Sequence, residues 1–482
     1  MFPPLPTETY REIFKYLDFR SLGSCVLVNK SWFLNAVGLL WQDPFESLSE
    51  DKEIISRGPK LIRTYASCLS SISRKNLECF QLLSPTSTAN KAIFNYAFFL
   101  VNLDYLLLVT SIKQWIKVSL GDENCDQKEI EREVIKELCS LFFQNCASLR
   151  KLGFLPRGYT YIFAENYLQD TTFIRLDKLP NAENCLSHLE ELRCFGLTPN
   201  EVLCKIAEIS KNLKVLDIRD GTEENKGLRN LFEVQTNLRE FTITTTEPLS
   251  WISISLRKKV QNLQKINIYC HDHIPLGIFE GVTNIQELTL CDDLRFAPVT
   301  GVDPVRQFNS NLTKLEVLDL TLRDRNLLQI SSLIRKTNGS LLQVSLHFGR
   351  PLDSQNFSAL TSTITSACPK LKQLTLRVPN DTISKIPLLF TSCTSLECVT
   401  LVGDNYDISE TLIEMGNSLP RNLMTLCLNP EKWIYNESSL KSFLEHCEKR
   451  LKSFPLKFAR SKIRGKSEVL NSFIEEGIVS LM

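Results

Sequence analysis

The sequence predicts an α/β chain in which an N-terminal module of three short helices precedes a long curved solenoid with inner parallel strands and outer helices. Three observations predict this fold. Apolar residues recur at helical spacing over residues 5–45. A six-residue apolar phrase then recurs at regular intervals to the C-terminal end, and stretches with helical spacing separate its copies.

The N-terminal stretch divides into three helical segments. Thr7 is predicted to cap the first helix, Asp18 interrupts its apolar stripe, and Ser31 is predicted to cap the third. Three short helices over about 40 residues lie at the lower size limit for a self-sufficient core, so their apolar surface needs a partner as cover. The apolar positions are Tyr10, Ile13, Phe14 and Leu17, then Leu22, Cys25 and Val26, then Trp32, Phe33, Ala36, Leu39 and Leu40.

This pattern resembles the F-box, the helical module that attaches a receptor protein to the Skp-type adaptor of a cullin ubiquitin ligase. Thr9 and Tyr10 stand where that family usually carries Ile and Leu. The resemblance implies that the chain binds a Skp-type adaptor and, through it, a cullin; a plain helical cap on a larger fold is the alternative. Trp41 also matches the pattern. We expect the other matching residues to contact the adaptor or to hold the contacting helices: Leu5, Pro6, Glu8, Ile13, Leu17, Leu22, Val28 and Trp32.

The recurring phrase consists of an apolar residue, two variable residues, an apolar residue, one variable residue and an apolar residue. Its mean period from Leu189 to Leu451 is about 26 residues, within the range of leucine-rich repeats. The last two apolar positions alternate as in a strand, and the stretches between phrases, such as 201–211 and 356–367, are predicted to be outer helices. The twelve copies begin at Leu149, Leu189, Leu213, Leu238, Leu263, Ile285, Leu315, Leu341, Leu371, Leu396, Leu423 and Leu451.

Cysteines at the start of several phrases support this subtype. Cys146, Cys368 and Cys393 precede a first leucine by three residues, and Cys447 precedes Leu451 by four. A small, readily buried side chain suits the passage from helix end to strand, so we predict core roles for these thiols. The chain thus resembles the leucine-rich repeats that commonly follow an F-box, over about two thirds of its length.

The pattern predicts three parts: an F-box at 1–46, a helical spacer or N-terminal cap at 47–127, and the leucine-rich-repeat solenoid with its C-terminal cap at 128–482. A break is expected at 56–59, and degenerate repeats within the spacer are an alternative. A helix over 467–476 is expected to cover the last repeat. The apolar stretch at 92–112 is long enough to span a membrane, but Asn102 and Asp104 favour two buried elements that meet near its centre.

Composition limits the compartment and the partners. The 482 residues carry 56 Lys plus Arg against 55 Asp plus Glu, which gives no overall attraction to nucleic acid or to an anionic membrane. The 16 cysteines are spread out, and the N-terminus lacks the basic start and apolar core of a secretory signal. We therefore expect a reducing compartment, the cytoplasm or the nucleus. The basic run at 449–466 is interpreted as a solvated edge, with a nuclear-localisation or acidic-partner patch as the alternative.

The sequence carries no GxGxxG, P-loop, HExxH or GxSxG motif, so we predict no catalytic residue, no cofactor and no enzyme activity. The one cluster with metal-ligand chemistry is the run at 270–273, Cys-His-Asp-His, followed one repeat later by Cys-Asp-Asp at 291–293. Because neighbouring strand residues point to opposite faces, we predict ordinary polar loops and no metal; a metal site, with an enzymatic role, is the alternative.

These features predict the substrate receptor of an SCF-type ubiquitin ligase, the complex of Skp-type adaptor, cullin and F-box protein. The alternative is a leucine-rich-repeat scaffold without a ubiquitin-ligase role. We expect an unidentified protein substrate on the inner, concave face of the strands, where variable residues point away from the core. Aromatic and Arg residues dominate interface energies, and the polar His347 lies in the same pattern. The predicted substrate-binding residues are Phe195, Arg219, Tyr269, His347 and Arg377.

Overall fold

The computed structural model shows a chain of helices and parallel strands that divides into two compact units, Met1–Leu238 and Arg239–Met482. Among the described residues, no helix has the length and apolar character needed to cross a membrane. The structure describes residues 6–48, 51–83, 92, 94–121, 127–155, 173, 175–222, 224–247, 256, 259, 261–270, 279, 281–292, 311–322, 327–348, 352–428, 432–451, 456–458 and 468–481.

The first unit begins with helices and continues with alternating strands and helices. Its strands are all parallel and lie side by side in chain order. The helices are α1 (Thr7–Phe14), α2 (Phe19–Cys25), α3 (Lys30–Leu40), α4 (Asp51–Ala66), α5 (Ser71–Glu78), α6 (Tyr105–Leu120), α7 (Gln127–Asn145), α8 (Ala182–Leu186), α9 (Asn200–Ile209) and α10 (Lys226–Val234), and the strands are β1 (Asn102–Asp104), β2 (Lys151–Gly153), β3 (Glu191–Phe195) and β4 (Val215–Arg219).

The caps of the first helices differ from those predicted. Thr7 is the first residue of α1, and Pro6 before it makes no side-chain capping bond. Asn29, not Ser31, caps α3, since its carboxamide accepts the Trp32 N–H at 3.0 Å. Asn29 has the extended backbone that a capping residue needs, whereas position 31 already lies inside the helix.

Helix α4 runs through the break predicted at 56–59. Gly58 lies against α6, because a Cβ at this position would stand 2.8 Å from Ser111 Oγ. The close approach of the two helices depends on this glycine, and Pro59 is accommodated within α4. The prediction was therefore wrong, because packing against α6 outweighs the local tendency of Gly and Pro to end a helix.

The sheet of the first unit begins inside the predicted spacer. In β1, Leu103 is the register partner of Leu152 in β2. Asp104 ends β1 and caps α6, accepting the Leu107 N–H at 3.2 Å. Two elements therefore meet near Asn102, as predicted, and the paired strand β1 lies within 47–127.

The second unit continues the same alternation. Its sheet runs β5-β6-β7-β8-β9-β10-β11-β13-β15-β16 in parallel pairs, and β12 pairs with β14 separately. The strands are β5 (Glu240–Thr245), β6 (Lys265–Cys270), β7 (Glu287–Cys291), β8 (Val317–Leu322), β9 (Gln343–Phe348), β10 (Gln373–Arg377), β11 (Cys398–Val402), β12 (Tyr406–Asp407), β13 (Thr425–Leu428), β14 (Trp433–Ile434), β15 (Leu456–Phe458) and β16 (Val479–Leu481), and the helices are α11 (Leu327–Lys336), α12 (Ser354–Ala367), α13 (Ile386–Ser392), α14 (Ser409–Ser418), α15 (Glu437–Arg450) and α16 (Glu468–Glu475).

The strands coincide with the recurring phrases, and equivalent phrase positions are register partners. Leu288 of β7 pairs with Leu318 of β8, which pairs with Val344 of β9, and all three are fully buried. This burial places the last two apolar positions of each phrase in the core, as predicted. The helices predicted at 201–211 and 356–367 are present as α9 and α12.

The last phrase is an exception. Leu426 of β13 pairs with Phe458, four residues beyond the predicted partner Phe454, which lies outside the described residues. The predicted helix at 467–476 is present as α16, with Leu470 and Phe473 buried. Strand β16 follows it and pairs with β15, so the sheet extends one strand beyond the last phrase.

The four cysteines that precede the phrases are buried, as predicted for core residues. Cys146 Sγ donates a hydrogen bond to the carbonyl oxygen of Leu100 at 3.0 Å. Burial is the main cause that raises the pKa of the Cys368 thiol to about 12. Burial alone raises the pKa of the Cys393 thiol to about 11. At neutral pH the Cys368 and Cys393 thiols are therefore protonated, which suits small apolar packing groups.

Candidate functional site

The N-terminal helices have a small core of their own. Phe14, Leu22, Cys25 and Ala36 are buried, and the half-buried Tyr10, Leu17 and Trp32 pack against them. The Trp32 ring meets Phe14 edge-on at 5.2 Å and Tyr10 at 6.0 Å between centroids. Tyr10, one of the two residues that depart from the F-box pattern, therefore contributes an aromatic ring to this core.

Large apolar side chains remain exposed around this core. The exposed fraction is 47% for Ile13 and 55% for Val28. Leu27, Leu34 and Tyr16 are more than half exposed as well, and the sequence pattern did not single them out because they lie off the core stripe. Isolated exposed apolar residues are ordinary, but this number on about 40 residues is typical of a surface that a partner covers.

The structure separates the predicted adaptor-binding residues into three groups. Pro6, Glu8, Ile13 and Val28 are exposed and accessible to a partner. Leu17 and Trp32 are half-buried against the core, and Leu22 is 7% exposed, so these three hold the helices together. Leu5 lies outside the described residues.

A chain of aromatic contacts joins these helices to the rest of the first unit. The Trp41 ring stacks on Tyr96 at 4.2 Å and meets Tyr65 edge-on at 5.4 Å. The carbonyl oxygen of Gln42 accepts the N–H groups of Val101 at 3.0 Å and Asn102 at 2.9 Å. The helices are thus fixed to the start of β1 by packing and by backbone hydrogen bonds.

The open face of each sheet is the face opposite the buried leucines. In the first unit, Phe195 and Arg219 are register partners on β3 and β4, so the structure brings these two predicted residues together. Phe195, however, is only 3% exposed and packs with Leu155 and Phe173. The expectation that it points into solvent was wrong, because neighbouring apolar side chains cover its strand end.

Arginine side chains on this open face are engaged in ion pairs. Arg219 donates from Nε and Nη2 to the two carboxylate oxygens of Asp217 at 2.7 and 3.1 Å. Arg193 lies 3.4 Å from Glu191, which also pairs with Lys151 at 2.7 Å. A partner that uses these arginines has to compete with carboxylates of the same face.

On the open face of the second unit, the three remaining predicted residues follow one row across the strands. Tyr269, Cys291, Thr321 and His347 are successive register partners on β6 to β9. Leu376 pairs with Leu346, so Arg377 occupies the next position of the same row. Tyr269 is 36% exposed, and a row of this kind gives a partner several anchors at strand spacing.

Arg377 belongs to a charge cluster at the carboxyl ends of β10 and β11. Its Nη2 donates to Asp404 Oδ1 at 3.0 Å, and Lys432 Nζ lies 3.3 Å from the same oxygen. Burial opposes ionisation of Asp404, but the positive charges of Arg377 and Lys432 outweigh it and lower the carboxyl pKa below its usual value. Asp404 and Lys432 were not predicted, because both follow the strands and lie outside the phrase.

The pleat of the sheet separates two cysteines of the cluster that was weighed as an alternative metal site. Cys270 is 2% exposed on the core side of β6, whereas Cys291 pairs with Tyr269 on the open face. His271, His273 and Asp293 lie outside the described residues. Within the part of the chain that the structure describes, no three His, Cys, Asp or Glu side chains come together as a metal site.

The N-terminal segment matches a known family. Residues 2–47 are similar to the F-box-like domain. Domains of this family typically bind Skp-type adaptors, and proteins that carry them are in general non-catalytic substrate receptors of SCF-type ligases. No curated protein matches the chain.

Proposed function

We propose that this protein is the substrate-recognition subunit of an SCF-type ubiquitin ligase. The F-box-like domain binds a Skp-type adaptor and, through it, a cullin, while the leucine-rich-repeat solenoid binds a protein substrate. The observation that carries the proposal is the set of apolar side chains left exposed on a domain that matches the F-box-like family. The arrangement of parallel strands in each unit is compatible with such a solenoid.

The adaptor contact rests on exposed residues, with Ile13 and Val28 as its centre. Covering such side chains contributes roughly 25 cal/mol for each Å² of apolar surface removed from water. Leu22 and Trp32 act indirectly, since they hold α1, α2 and α3 in place. Leu5, Pro6 and Glu8 extend the contact at the start of α1.

Substrate binding is assigned to the open face of the strands. In the second unit Tyr269, His347 and Arg377 provide the anchors, and in the first unit Arg219 does so. The receptor contributes proximity and orientation of substrate lysines to the ubiquitin-charged enzyme, without side-chain chemistry of its own. The abundance of buried free thiols supports a reducing compartment, the cytoplasm or the nucleus.

Adaptor binding tests the proposal most directly. The full chain is co-expressed with a Skp-type adaptor and analysed by size-exclusion chromatography, as wild type and as the Ile13→Asp/Val28→Asp variant. We expect a one-to-one complex for the wild type and separate elution for the variant, because two charges would be buried in an apolar contact.

The matched control is Ile72→Asp, which places the same charge on α5, where Ile72 is 73% exposed. This variant should still elute with the adaptor. A wild-type chain that is folded and elutes alone contradicts the receptor function and leaves the leucine-rich-repeat scaffold.

A further inference from the structure

The carboxyl ends of β10, β11 and β13 hold a positively charged cluster that adaptor binding does not use. Arg377 and Lys432 both contact the carboxylate of Asp404, the second residue after β11. Among the described residues of the cluster, two positive charges thus face one negative charge. The side chains are partly exposed, at 27% for Arg377, 43% for Asp404 and 48% for Lys432, so the cluster is open to a ligand.

Trp433, the residue after Lys432, brings a buried donor to the same place. Its side chain is 2% exposed. Within the described part of the chain, neither its indole N–H nor the Nε–H of Arg377 has a hydrogen-bond partner. Native proteins seldom leave buried donors unsatisfied, so two of them beside one charge cluster point to an acceptor that arrives from outside.

Gly403 brings the indole to the cluster. A Cβ at position 403 would overlap Trp433 Nε1, so only glycine lets the ring edge lie against the chain immediately before Asp404. Two partly exposed apolar side chains lie on the adjoining strands: Tyr406 on β12 is 43% exposed and Ile434 on β14 is 50% exposed. A polypeptide ligand would therefore find apolar contacts next to the charged groups.

We propose that Arg377, Lys432 and Trp433 bind a phosphorylated side chain of the substrate polypeptide, and that Asp404 occupies this site in the free protein. The inference rests on the proposed function, because it names the class of substrate. A carboxylate ligand would only exchange one singly charged group for another. A phosphate monoester carries a charge of about −1.5 to −2 and three acceptor oxygens, which together can accept from all three donor groups.

Displacement of the Asp404 carboxylate by a phosphate group is sterically simple. The Asp404 side chain is 43% exposed and can turn into water when the phosphate takes its partners. The guanidinium then binds two phosphate oxygens in its planar fork, the Lys432 ammonium adds a point charge, and the indole N–H gains an acceptor. Tyr406 and Ile434 contact the residues that flank the phosphorylated one.

The test uses the full chain with ¹⁵N-labelled tryptophan, whose five indole N–H groups give separate NMR resonances. The variant Trp433→Phe identifies the resonance of interest. The probes are inorganic phosphate, a phosphoserine peptide library of random flanking sequence, and the same library without phosphate.

We expect both phosphate-containing probes to shift the Trp433 resonance saturably, with the peptides binding at least about tenfold more tightly because of the flanking contacts. Arg377→Gln and Lys432→Gln should each weaken binding about tenfold or more, since each removes a charge-assisted hydrogen bond. Asp404→Asn should strengthen it, because the competing carboxylate is gone. Lys372→Gln, which breaks the 2.8 Å pair with Glu397 at the other end of the same strands, should leave binding unchanged.

Three results would overturn the inference: a Trp433 resonance that no probe shifts, a shift that persists in Arg377→Gln, or equal shifts from phosphorylated and unphosphorylated libraries. Inorganic phosphate that binds while the phosphopeptides do not would contradict the assigned source of the phosphate. Co-elution with the adaptor is measured on the same preparations. Failure of this site with intact adaptor binding is thus distinguishable from failure of the receptor function.

Discussion

The F-box-like domain and the sheet of the second unit differ in how completely they bury their apolar side chains. In the sheet, Phe241, Leu288 and Leu318 are fully buried. In the domain, Ile13 and Val28 are about half exposed. The sheet therefore uses its apolar surface for its own stability, whereas the domain leaves apolar surface exposed, as the proposed adaptor contact requires.

The largest expected effect is a loss of stability when a buried side chain of the sheet is truncated. Phe241→Ala removes a fully buried ring and should lower the free energy of unfolding by about 3–5 kcal/mol. Ile13→Ala should change it by less than about 1 kcal/mol, because the side chain already contacts water. Guanidinium unfolding, with hydrogen exchange to resolve the two units, measures both. Equal losses would contradict the comparison.

Adaptor affinity should show the reverse order. Ile13→Ala is expected to weaken adaptor binding by about 2 kcal/mol, roughly 30-fold, because it removes a side chain from the centre of the contact. Isothermal titration of the purified chain with a Skp-type adaptor measures this. Phe241→Ala is the control and should bind the adaptor normally, since β5 belongs to the other unit. A normal affinity for Ile13→Ala would place the contact elsewhere.

A pair of glycines sharpens the comparison between tight and open packing. A Cβ at Gly196, after β3, would overlap the carbonyl oxygen of Asp220, so Gly196→Ala should destabilise the first unit by about 1–3 kcal/mol. Gly23 in α2 has nothing within 4 Å, and Gly23→Ala should stabilise its helix by about 0.5–1 kcal/mol. Thermal unfolding of the two variants tests the signs. If Gly23→Ala were destabilising and Gly196→Ala stabilising, the domain and not the end of β3 would be the tightly packed region.

The smallest effect concerns the buried thiols. Burial raises the pKa of Cys368 to about 12, with the charge of Cys393 as a second cause, so the folded thiol stays protonated above the pH where the unfolded one ionises. The contribution of the protonated Cys368 thiol to the free energy of unfolding is complete below about pH 9. It is lost as pH rises from there toward 12, by about 1.4 kcal/mol for each pH unit. Unfolding measured from pH 8 to 10 should therefore show a smaller pH dependence in Cys368→Ala. If the free energy of unfolding depended on pH equally in the wild type and in Cys368→Ala, the buried Cys368 thiol would not be the cause of that dependence.

Local pattern was enough to predict most of the repeated structure. Every second residue of a strand faces the core, so phrases such as the one at Leu315 predict a strand and its buried positions directly. Burial of Cys368 and Cys393 followed in the same way from their distance to the next phrase. The helical stripes of the first 45 residues likewise predicted most side chains in the core of the F-box-like domain, since helix spacing puts them on one face. Two residues of these stripes are exceptions: Ile13 is 47% exposed, and Phe33 packs on Phe94.

Tertiary contacts decided what no local pattern contains. Gly58 and Pro59 lie within a helix because α6 packs on it, and Phe458 replaces Phe454 because strand pairing sets the register. Phe195 is covered although its position in the phrase predicts exposure.

The candidate phosphate site shows the same division. Sequence pattern placed Arg377 on the open face, but Asp404, Lys432 and Trp433 reach it from separate loops and strands. Periodicity determines which way a side chain points from its own element. Only the folded chain determines which distant groups it meets there, because that depends on how the elements pack.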